Sequence, residues 1–371
     1  MTTPLSAAPL SAEQWSDLLD AVSAGIGVSA AFQPIVDTAR GIVVGYEGLA
    51  RFEMPAGISV EDLFARARAA DRSAQIEARC LRAVLADRAS IPANCFLTVN
   101  VSPHVLRQDV IRAVWRDHPD LQGVFVELTE QSAIDSAADL EPDLDAIRGA
   151  GGLIAVDDLG SGYAGLSRLL ALKPALIKLD RDLIAGIDTD EAKRALVEMI
   201  GTFAGRIDAW VLAEGIETEA EYDTITALGV PLAQGYYLAR PGPAWPALPK
   251  PLRTVAAPQP GPVVRDLLDV APAVESVASA ARIFTEHAGV RTVVLIDHHG
   301  RPVSVLDGES AHLGVTTDAV RVNLDTPVRD ALLRAITRDS THRYDPLIVT
   351  DNAGRYAGIV RLERLITTAV R

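Results

Sequence analysis

Seven short apolar runs in the first 240 residues each end on a polar side chain of a type that binds metals or handles protons. The runs are Ile42–Glu47, Cys95–Asn100, Val124–Glu127, Leu153–Asp158, Ala175–Lys178, Ala209–Glu214 and Leu232–Gln234. They read as strands, and longer amphipathic stretches such as Val60–Ala70 and Glu191–Ala204 read as helices between them. Strands that alternate with helices build βα units around a parallel sheet. The pattern predicts an α/β fold, and specifically a TIM-like (β/α)8 barrel.

The polar groups at the ends of these runs predict one site, because a (β/α)8 barrel gathers the carboxyl ends of its strands at the mouth where barrel enzymes act. Five of them can supply oxygen ligands, the carboxylates of Glu47, Glu127, Asp157 and Asp158 and the amide oxygen of Asn100. Such a set suits hard ions such as Mg²⁺ or Mn²⁺. A pair of ions would relieve the repulsion between the carboxylates and serve a phosphoryl displacement. For Asp157 and Asp158 both to face this pocket, their strand must end or bulge there.

Lys178 is placed to orient or deprotonate a water molecule, or to neutralise charge on a reacting phosphate. Taken alone, it could equally be a Schiff-base lysine or the partner of Asp180 in a structural ion pair. A single acid at a strand end is usually solvated, and Asn100 alone would be a turn former. The series of strand ends, rather than any one member, therefore predicts the site.

The chain changes character at a proline-rich segment, with eight prolines between Pro241 and Pro262. This density excludes regular helix and sheet ladders. Near the start of the chain, Ser11 and Gln14 match a capping box that begins a helix. We therefore predict an N-terminal helix within residues 1–20, a barrel domain over 21–247, a linker over 248–262 and a C-terminal domain over 263–371.

The C-terminal domain is an internal duplication with a period of about 55 residues. In each half, a helical stretch precedes an apolar strand, a polar turn and a second strand. The strand pairs are Thr292–Asp297 with Pro302–Leu306, and Pro346–Asp351 with Tyr356–Val360. A smaller α+β domain is expected.

Net charge and cysteine content restrict the partners. The formal net charge is −14, which argues against nucleic acid as a partner and requires local cations for any anionic ligand. Two cysteines are too few for a disulfide framework, so a reducing compartment is expected. With no apolar run near the roughly 18 residues of a membrane span, and no leader pattern, we expect a cytoplasmic protein that does not contact the membrane.

From Ala31 to Pro241 the chain resembles the EAL domains, the phosphodiesterases that open cyclic di-GMP. The shared motifs are Ala31-Phe-Gln-Pro-Ile35, Glu47-Gly48-Leu49 with Arg51, Asn100-Val-Ser-Pro103, Glu127-Leu-Thr-Glu130, Asp157-Asp-Leu-Gly-Ser-Gly-Tyr163, Ile177-Lys-Leu-Asp180, Ala213-Glu-Gly-Ile-Glu217 and Gln234-Gly-Tyr236. The resemblance implies metal-dependent hydrolysis of cyclic di-GMP to linear pGpG. It also implies a homodimer.

The resemblance assigns roles to individual positions. Glu47, Asn100, Glu127 and Asp157 would bind one Mg²⁺ or Mn²⁺ ion, and Asp157 with Asp158 would serve the second. The catalytic set would be Glu47, Lys178 at the nucleophilic water, Glu214 near the second ion and Gln234 as a positioning amide. Contacts with guanine or phosphate would come from Gln33, Leu49 and Arg51. Glu130 would hold the Asp157–Asp158 loop in shape, and Glu217 is a second acid of its motif.

Three positions depart from the family pattern. Gly48 stands where Ala is usual, Leu159 where Phe is common, and Ser161 where Thr is common. None is a ligand, so activity is expected to survive. The alternative is a catalytically weak receptor that binds cyclic di-GMP without turnover. An enolase-type barrel with Lys178 as base, and a purely structural barrel, explain the motifs or the strand ends less well.

The duplicated tail resembles a CBS pair, a module that binds adenosine nucleotides and dimerises. The positions that would contact ribose fall at Asp307 with Ser310, and at Arg361 with Arg364. Neither half keeps the usual acid. An adenosine nucleotide and a spacer or dimerisation domain without one both remain open, and regulation of the barrel by this domain is a further expectation.

Overall fold

The structure is a computed structural model. It describes residues 10–128, 139–159, 172–207, 209–252, 262–316, 320–336, 344–351 and 354–369, with only the backbone of 158 and 159. The chain divides into two compact units, one containing a closed barrel and the other the C-terminal sheets. Glu130 and Ser161, and the side chain of Asp158, lie outside the described residues.

The first unit is built on a closed eight-stranded barrel in which each strand neighbours the next along the chain. Its strands are β1 (Val28–Asp37), β2 (Ile42–Phe52), β3 (Phe96–Val101), β4 (Val124–Leu128), β5 (Leu153–Leu159), β6 (Leu176–Leu179), β7 (Trp210–Ala213) and β8 (Leu232–Ala233). β2 to β8 coincide with the seven predicted runs, although β2 continues five residues beyond Glu47. The predicted barrel is confirmed.

The barrel differs from a regular (β/α)8 barrel in its first strand. β1 is antiparallel to both β2 and β8, so β1 and β2 form a hairpin with no helix between them. β1 was not predicted as a strand, and it contains Pro34, a residue that is unusual inside a sheet. The hairpin places Gln33 directly opposite Glu47.

Helices surround the barrel. Among the described residues between 10 and 252, the α-helices are α1 (Ala12–Ala24), α2 (Val60–Ala69), α3 (Ser73–Ala86), α4 (Asp109–Asp117), α5 (Glu141–Gly149), α6 (Arg181–Ile184), α7 (Glu191–Arg206) and α8 (Glu219–Ala227). The predicted capping box of α1 is present, with reciprocal hydrogen bonds between Ser11 and Gln14. Trp15, Leu19 and Val22 of this helix are buried in one cluster with residues of α2 and α3.

The barrel interior beneath the strand ends is filled by aromatic rings. The ring centroids of Phe96 and Phe125, on neighbouring strands, lie 5.0 Å apart. A side chain at Gly45 would lie 2.6 Å from the Phe96 ring, so glycine leaves the space that the ring occupies. Because alternate residues of a strand share a face, Gly45 and Glu47 both point inward. The site therefore rests on a packed apolar floor.

The second unit contains two copies of one βαββα pattern. The first copy is β9 (Ala273–Val274), α9 (Val277–Glu286), β10 (Val293–Ile296), β11 (Pro302–Leu306) and α10 (Gly308–Leu313), and the second is β12 (Arg321–Asn323), α11 (Val328–Ile336), β13 (Leu347–Thr350), β14 (Tyr356–Val360) and α12 (Leu362–Ala369). In each copy the first strand is parallel to the second and the third is antiparallel to it. Equivalent turns carry equivalent ion pairs, Asp297 with Arg301 and Asp351 with Arg355. The predicted duplication is confirmed.

Candidate active site

Four carboxylates converge on the ammonium group of Lys178, which is 1% exposed and comes from β6. The Nζ atom lies 2.7 Å from Glu127 Oε2 and 2.8 Å from Glu214 Oε1. It lies 3.3 Å from Asp157 Oδ1 and 3.4 Å from Glu47 Oε1. These acids lie on β2, β4 and β5 and directly after β7, so strands distant in sequence bring them together.

A chain of amide hydrogen bonds orients Glu47 from the opposite side. Asn100 Nδ2 donates to Glu47 Oε1 at 3.1 Å, and Gln234 Nε2 donates to Glu47 Oε2 at 2.7 Å. The same Gln234 nitrogen lies 3.1 Å from Gln33 Oε1, and Gln33 Nε2 donates to the carbonyl of Ala239 at 3.0 Å. Both oxygens of Glu47 are therefore held by side chains from three different segments, those of Asn100, Lys178 and Gln234.

The strand that carries Asp157 bulges at the position predicted from the adjacent aspartates. Val156 pairs with Ile177, but Leu159 pairs with Leu179, so β5 contains one residue more than β6 across this stretch. A bulge of this kind re-aims a side chain next to it. Asp157 reaches Lys178 from this bulge.

One lysine cannot neutralise four clustered acids, and the pKa shifts of these acids differ in direction. Burial raises the pKa of Glu127 to about 8, and the nearby charges of Glu47 and Asp157 act in the same direction. Burial also raises the pKa of Glu214 well above its usual value. The pKa of Glu47 is lowered, because Lys178 and the hydrogen bonds from Gln234 and Asn100 outweigh its burial. Without a further cation, burial therefore favours the protonated forms of Glu127 and Glu214.

The oxygen donors of the cluster are of the type that binds divalent cations, but the described side chains are not arranged in a metal-binding geometry. In the described part of the chain, no group of three acidic, histidine or cysteine side chains is arranged to hold a metal ion. The carboxylates instead surround Lys178. However, Glu127 Oε1 and Gln234 Oε1 are buried and accept no hydrogen bond from any described residue. Buried polar atoms normally have a partner, so these oxygens are candidates to receive a cation or water.

A cavity of about 240 Å³ opens beside this cluster. Its wall consists of Gln33, Glu47, Arg181, Glu214, Gly215, Glu217, Gln234, Gly235 and Tyr236. Close backbone approach shapes the wall, because a side chain at Gly235 would lie 2.1 Å from the carbonyl oxygen of Ile216. Six of the nine lining residues belong to two of the predicted motifs. The cavity thus joins the acidic cluster to solvent.

Arg181, the first residue of α6, lines the cavity but was not predicted as a site residue. Its Nη1 donates to the carbonyl of Gly215 at 2.7 Å and lies 2.8 Å from Glu217 Oε1. The arginine therefore fixes the loop after β7, which carries Glu214. The available signal was its place three residues after Lys178 at a strand end.

Two predicted contact residues lie farther along β2. Leu49 and Arg51 share a strand face with Glu47 by alternation, but neither lines the described cavity wall. Arg51 is exposed and donates from Nη1 to the carbonyl of Ala50. Their roles toward cyclic di-GMP stay predictions, as does the role of Gln33, which does reach the cavity.

The two predicted ribose positions of the C-terminal unit are occupied by internal contacts. Asp307 caps α10 by accepting a hydrogen bond from the amide of Ser310 at 2.8 Å. Arg361 and Arg364 both pair with Asp269, at 3.3 and 2.7 Å. An adenosine nucleotide at the second position would have to compete with Asp269.

Comparison with known proteins identifies the first unit. The EAL domain family model matches residues 15–241, more than half of the chain. The chain belongs to the EAL domain family. The CBS domain model matches residues 311–370, the second copy of the βαββα pattern with the end of the first.

Several relatives of this EAL chain are named for cyclic di-GMP. The probable cyclic di-GMP phosphodiesterase PdeA of Escherichia coli is 32% identical over 209 residues, which are 54% of this chain and 29% of PdeA. The chain thus spans less than a third of that relative. Among described residues, no helix is long and apolar enough to cross a membrane.

Two solved structures share the barrel and contain the dinucleotide. The cyclic di-GMP complex of the MucR phosphodiesterase of Pseudomonas aeruginosa is 27% identical, covers 62% of this chain and 98% of its own, and has a TM-score of 0.55. A calcium and cyclic di-GMP complex of BlrP1 from Klebsiella pneumoniae is 30% identical, covers 59% of this chain and 56% of its own, and has a TM-score of 0.51.

Proposed function

We propose that this EAL chain hydrolyses cyclic di-GMP to linear pGpG at the barrel mouth, with Mg²⁺ or Mn²⁺ as cofactor. The observation that carries the proposal is the convergence of Glu47, Glu127, Asp157 and Glu214 on Lys178 beside an open cavity. A purely structural barrel would have no need for four acids beside an open cavity. The names of PdeA and MucR support the same substrate.

The residues of the cluster divide the work of phosphodiester hydrolysis. Water adds to phosphorus, one ribose oxygen leaves and takes a proton, and the ring opens to the linear dinucleotide. Lys178 would orient the attacking water and offset charge on the phosphoryl oxygens once divalent ions bind the carboxylates that here engage its N–H groups. Gln234 and Asn100 hold Glu47 in one orientation.

The metal ligands would be Glu47, Asn100, Glu127, Asp157 and Asp158. Divalent ions, when bound, would lower the pKa of water and neutralise phosphate charge. The all-oxygen donor set and the unpaired buried oxygen of Glu127 support this assignment. The calcium complex of BlrP1 is a further support.

The proposal is tested by turnover of cyclic di-GMP in Mn²⁺, with pGpG measured by chromatography. We expect hydrolysis by the parent chain and a loss of about 100-fold or more in Glu127→Gln, because the variant removes a buried anionic oxygen from the metal site. Absence of pGpG with the parent protein would refute enzymatic activity. Calorimetry in Ca²⁺ would then show whether the chain is a cyclic di-GMP receptor.

Asp143→Asn is the matched control. Asp143 is also a buried acid, 6% exposed, but it pairs with Arg112 on the outer helices. The same change from carboxylate to amide should lower thermal stability there and leave turnover within about twofold. Equal losses in both variants would mean that Glu127→Gln acts through stability alone.

We further propose that the C-terminal CBS-type unit regulates the barrel through an adenosine nucleotide, with Asp269 as its internal competitor. Asp269→Asn removes the charge that holds Arg361 and Arg364. We expect ATP or AMP to bind this variant about tenfold more tightly than the parent, by calorimetry, because a charged pair no longer has to be broken. Equal affinity, or binding to neither protein, would contradict a nucleotide site at these arginines.

A further inference from the structure

The strap of residues 239–250, which follows β8, packs against the β1–β2 hairpin. Phe32 and Gly242 form a bridge, with N–H to carbonyl distances of 2.7 and 3.0 Å in the two directions. The strap also accepts a hydrogen bond from Gln33 at the carbonyl of Ala239. It therefore holds the hairpin by backbone contacts on one side of the site.

Trp245 adds an aromatic contact on the outer face of the hairpin. Its ring centroid lies 4.4 Å from that of Phe32 and 5.1 Å from that of Tyr46. Its Nε1 donates to Ser90 Oγ at 2.9 Å. Phe32 is fully buried and Tyr46 is 4% exposed. One side chain thus joins both strands of the hairpin to a segment outside it.

The backbone of Trp245 is held in an unfavourable conformation for these contacts. Its φ of 58° lies in the left-handed region, which bulky residues rarely adopt. Such strain persists only where the surroundings over-determine it. The contacts with Phe32, Tyr46 and Ser90 supply that constraint.

The residues that Trp245 contacts are the chain neighbours of two site residues. Phe32 precedes Gln33, and Tyr46 precedes Glu47. Gln33 and Glu47 are opposite each other in the hairpin and are linked through Gln234. Successive side chains of a strand point to opposite faces. Contacts that fix Phe32 and Tyr46 on the outer face therefore also fix the strand backbone that directs Gln33 and Glu47 inward. No crossover helix connects these two strands, and the strap adds to the support that α3 gives the hairpin from outside.

We propose that Trp245 is a positioning residue for Gln33 and Glu47, acting through the outward rings of Phe32 and Tyr46. The proposal concerns the same site as the proposed hydrolysis and rests on it for its kinetic effect. Its structural part, the ordering of the hairpin, stands independently.

The test combines hydrogen exchange with kinetics. In Trp245→Ala we expect faster amide exchange in peptides covering residues 30–37 and 43–50, and a fall in kcat/KM of about ten- to a hundredfold, because small displacements of a positioned group are costly. Trp245→Phe keeps a ring against Phe32 and Tyr46 and should recover most of both values. All assays are run at a temperature at which circular dichroism shows each variant folded.

Trp115→Ala is the matched control, since Trp115 is 8% exposed on α4 and is not among the ring contacts of the hairpin. It should lower thermal stability yet leave the exchange of both peptides unchanged. Unchanged exchange in Trp245→Ala would overturn the proposal, and so would faster exchange with kcat/KM within about twofold of the parent. A parent chain without turnover would refute the proposed hydrolysis, and the exchange data alone would then decide whether Trp245 orders the hairpin.

Discussion

Lys178→Met is expected to abolish hydrolysis and to destabilise the metal-free protein, with Mn²⁺ restoring part of the lost stability. The substitution keeps the length and apolar body of the side chain but leaves four acids around a neutral group. Removing one partner of a buried ion pair commonly costs about 3–5 kcal/mol. A divalent cation replaces the missing charge, so Mn²⁺ should raise the melting temperature of the variant more than that of the parent.

The loss of stability should grow with pH. Burial raises the pKa of Glu127 to about 8 in the folded chain, whereas the unfolded value is near 4.3. A group whose pKa is raised by folding favours the folded state at low pH, and this contribution disappears as pH rises through the folded pKa. Lys178 lowers the pKa of Glu127. Removing the lysine therefore raises this pKa further, and the loss of stability continues to higher pH. Melting curves of the metal-free variant at pH 6 and pH 8 should therefore differ more than those of the parent.

Lys193→Met is the matched control, because it removes a lysine that does not neutralise the acidic cluster. Lys193 donates from Nζ to the carbonyls of Asp182 and Ala185, at 2.6 and 2.7 Å, outside the acidic cluster. It should show a small loss of stability and the Mn²⁺ response of the parent. If Lys178→Met melts like the parent without metal, the lysine is not the counter-ion of the four acids.

The strand ends were predictable because a barrel imposes a single geometry on them. In a barrel, the carboxyl ends of all strands lie at the same mouth. The polar ends of the seven runs could therefore be placed together without knowledge of any individual side-chain contact. The bulge at Asp157 followed similarly, because two adjacent acids of a regular strand cannot face one pocket. Motif resemblance then assigned residues to roles.

Predictions from local sequence failed for residues whose contacts are with segments far away in the sequence. β1 was not predicted, because its role depends on pairing with β2 and with the distant β8. Lys178 was expected near water, yet its four carboxylate contacts depend on side-chain directions that spacing does not fix. Arg181 and Trp245 act through contacts with a loop and a hairpin that lie far from them in sequence. These positions carry no periodic signal.

Gly48, the middle residue of the Glu47-Gly48-Leu49 tripeptide, also depends on a contact with a residue that is distant in sequence. By sequence, Gly48 was a tolerated loss of one methyl group. In the fold, a Cβ atom at this position would lie 2.1 Å from Val84 Cγ1 of α3 and 3.2 Å from the carbonyl oxygen of Thr98. Val84 is 3% exposed. The space that an alanine methyl would fill is therefore taken by a branched side chain of the neighbouring helix.

Gly48→Ala, which introduces the residue usual in the family, is consequently expected to destabilise this chain. Overpacking of this kind costs about 1–3 kcal/mol, and β-branched Val84 has little freedom to rotate away. Since Gly48 follows Glu47, a strand pushed off α3 should also lower turnover. Thermal unfolding and kcat/KM are the measurements. Gly201→Ala, at a helical glycine with open space around it, should instead be neutral or stabilising.

The double variant Gly48→Ala with Val84→Ala decides the cause. Val84→Ala alone leaves a cavity beside Gly48, and the new methyl group at position 48 fills part of it. The two changes should therefore be less destabilising together than the sum of the singles, with a coupling of about 0.5–3 kcal/mol, and turnover should recover. Simple additivity would show that the methyl group and Val84 do not compete for one space. Recovery would show that the glycine and Val84 form one packing unit, in which the tripeptide and the helix behind it are adjusted to each other.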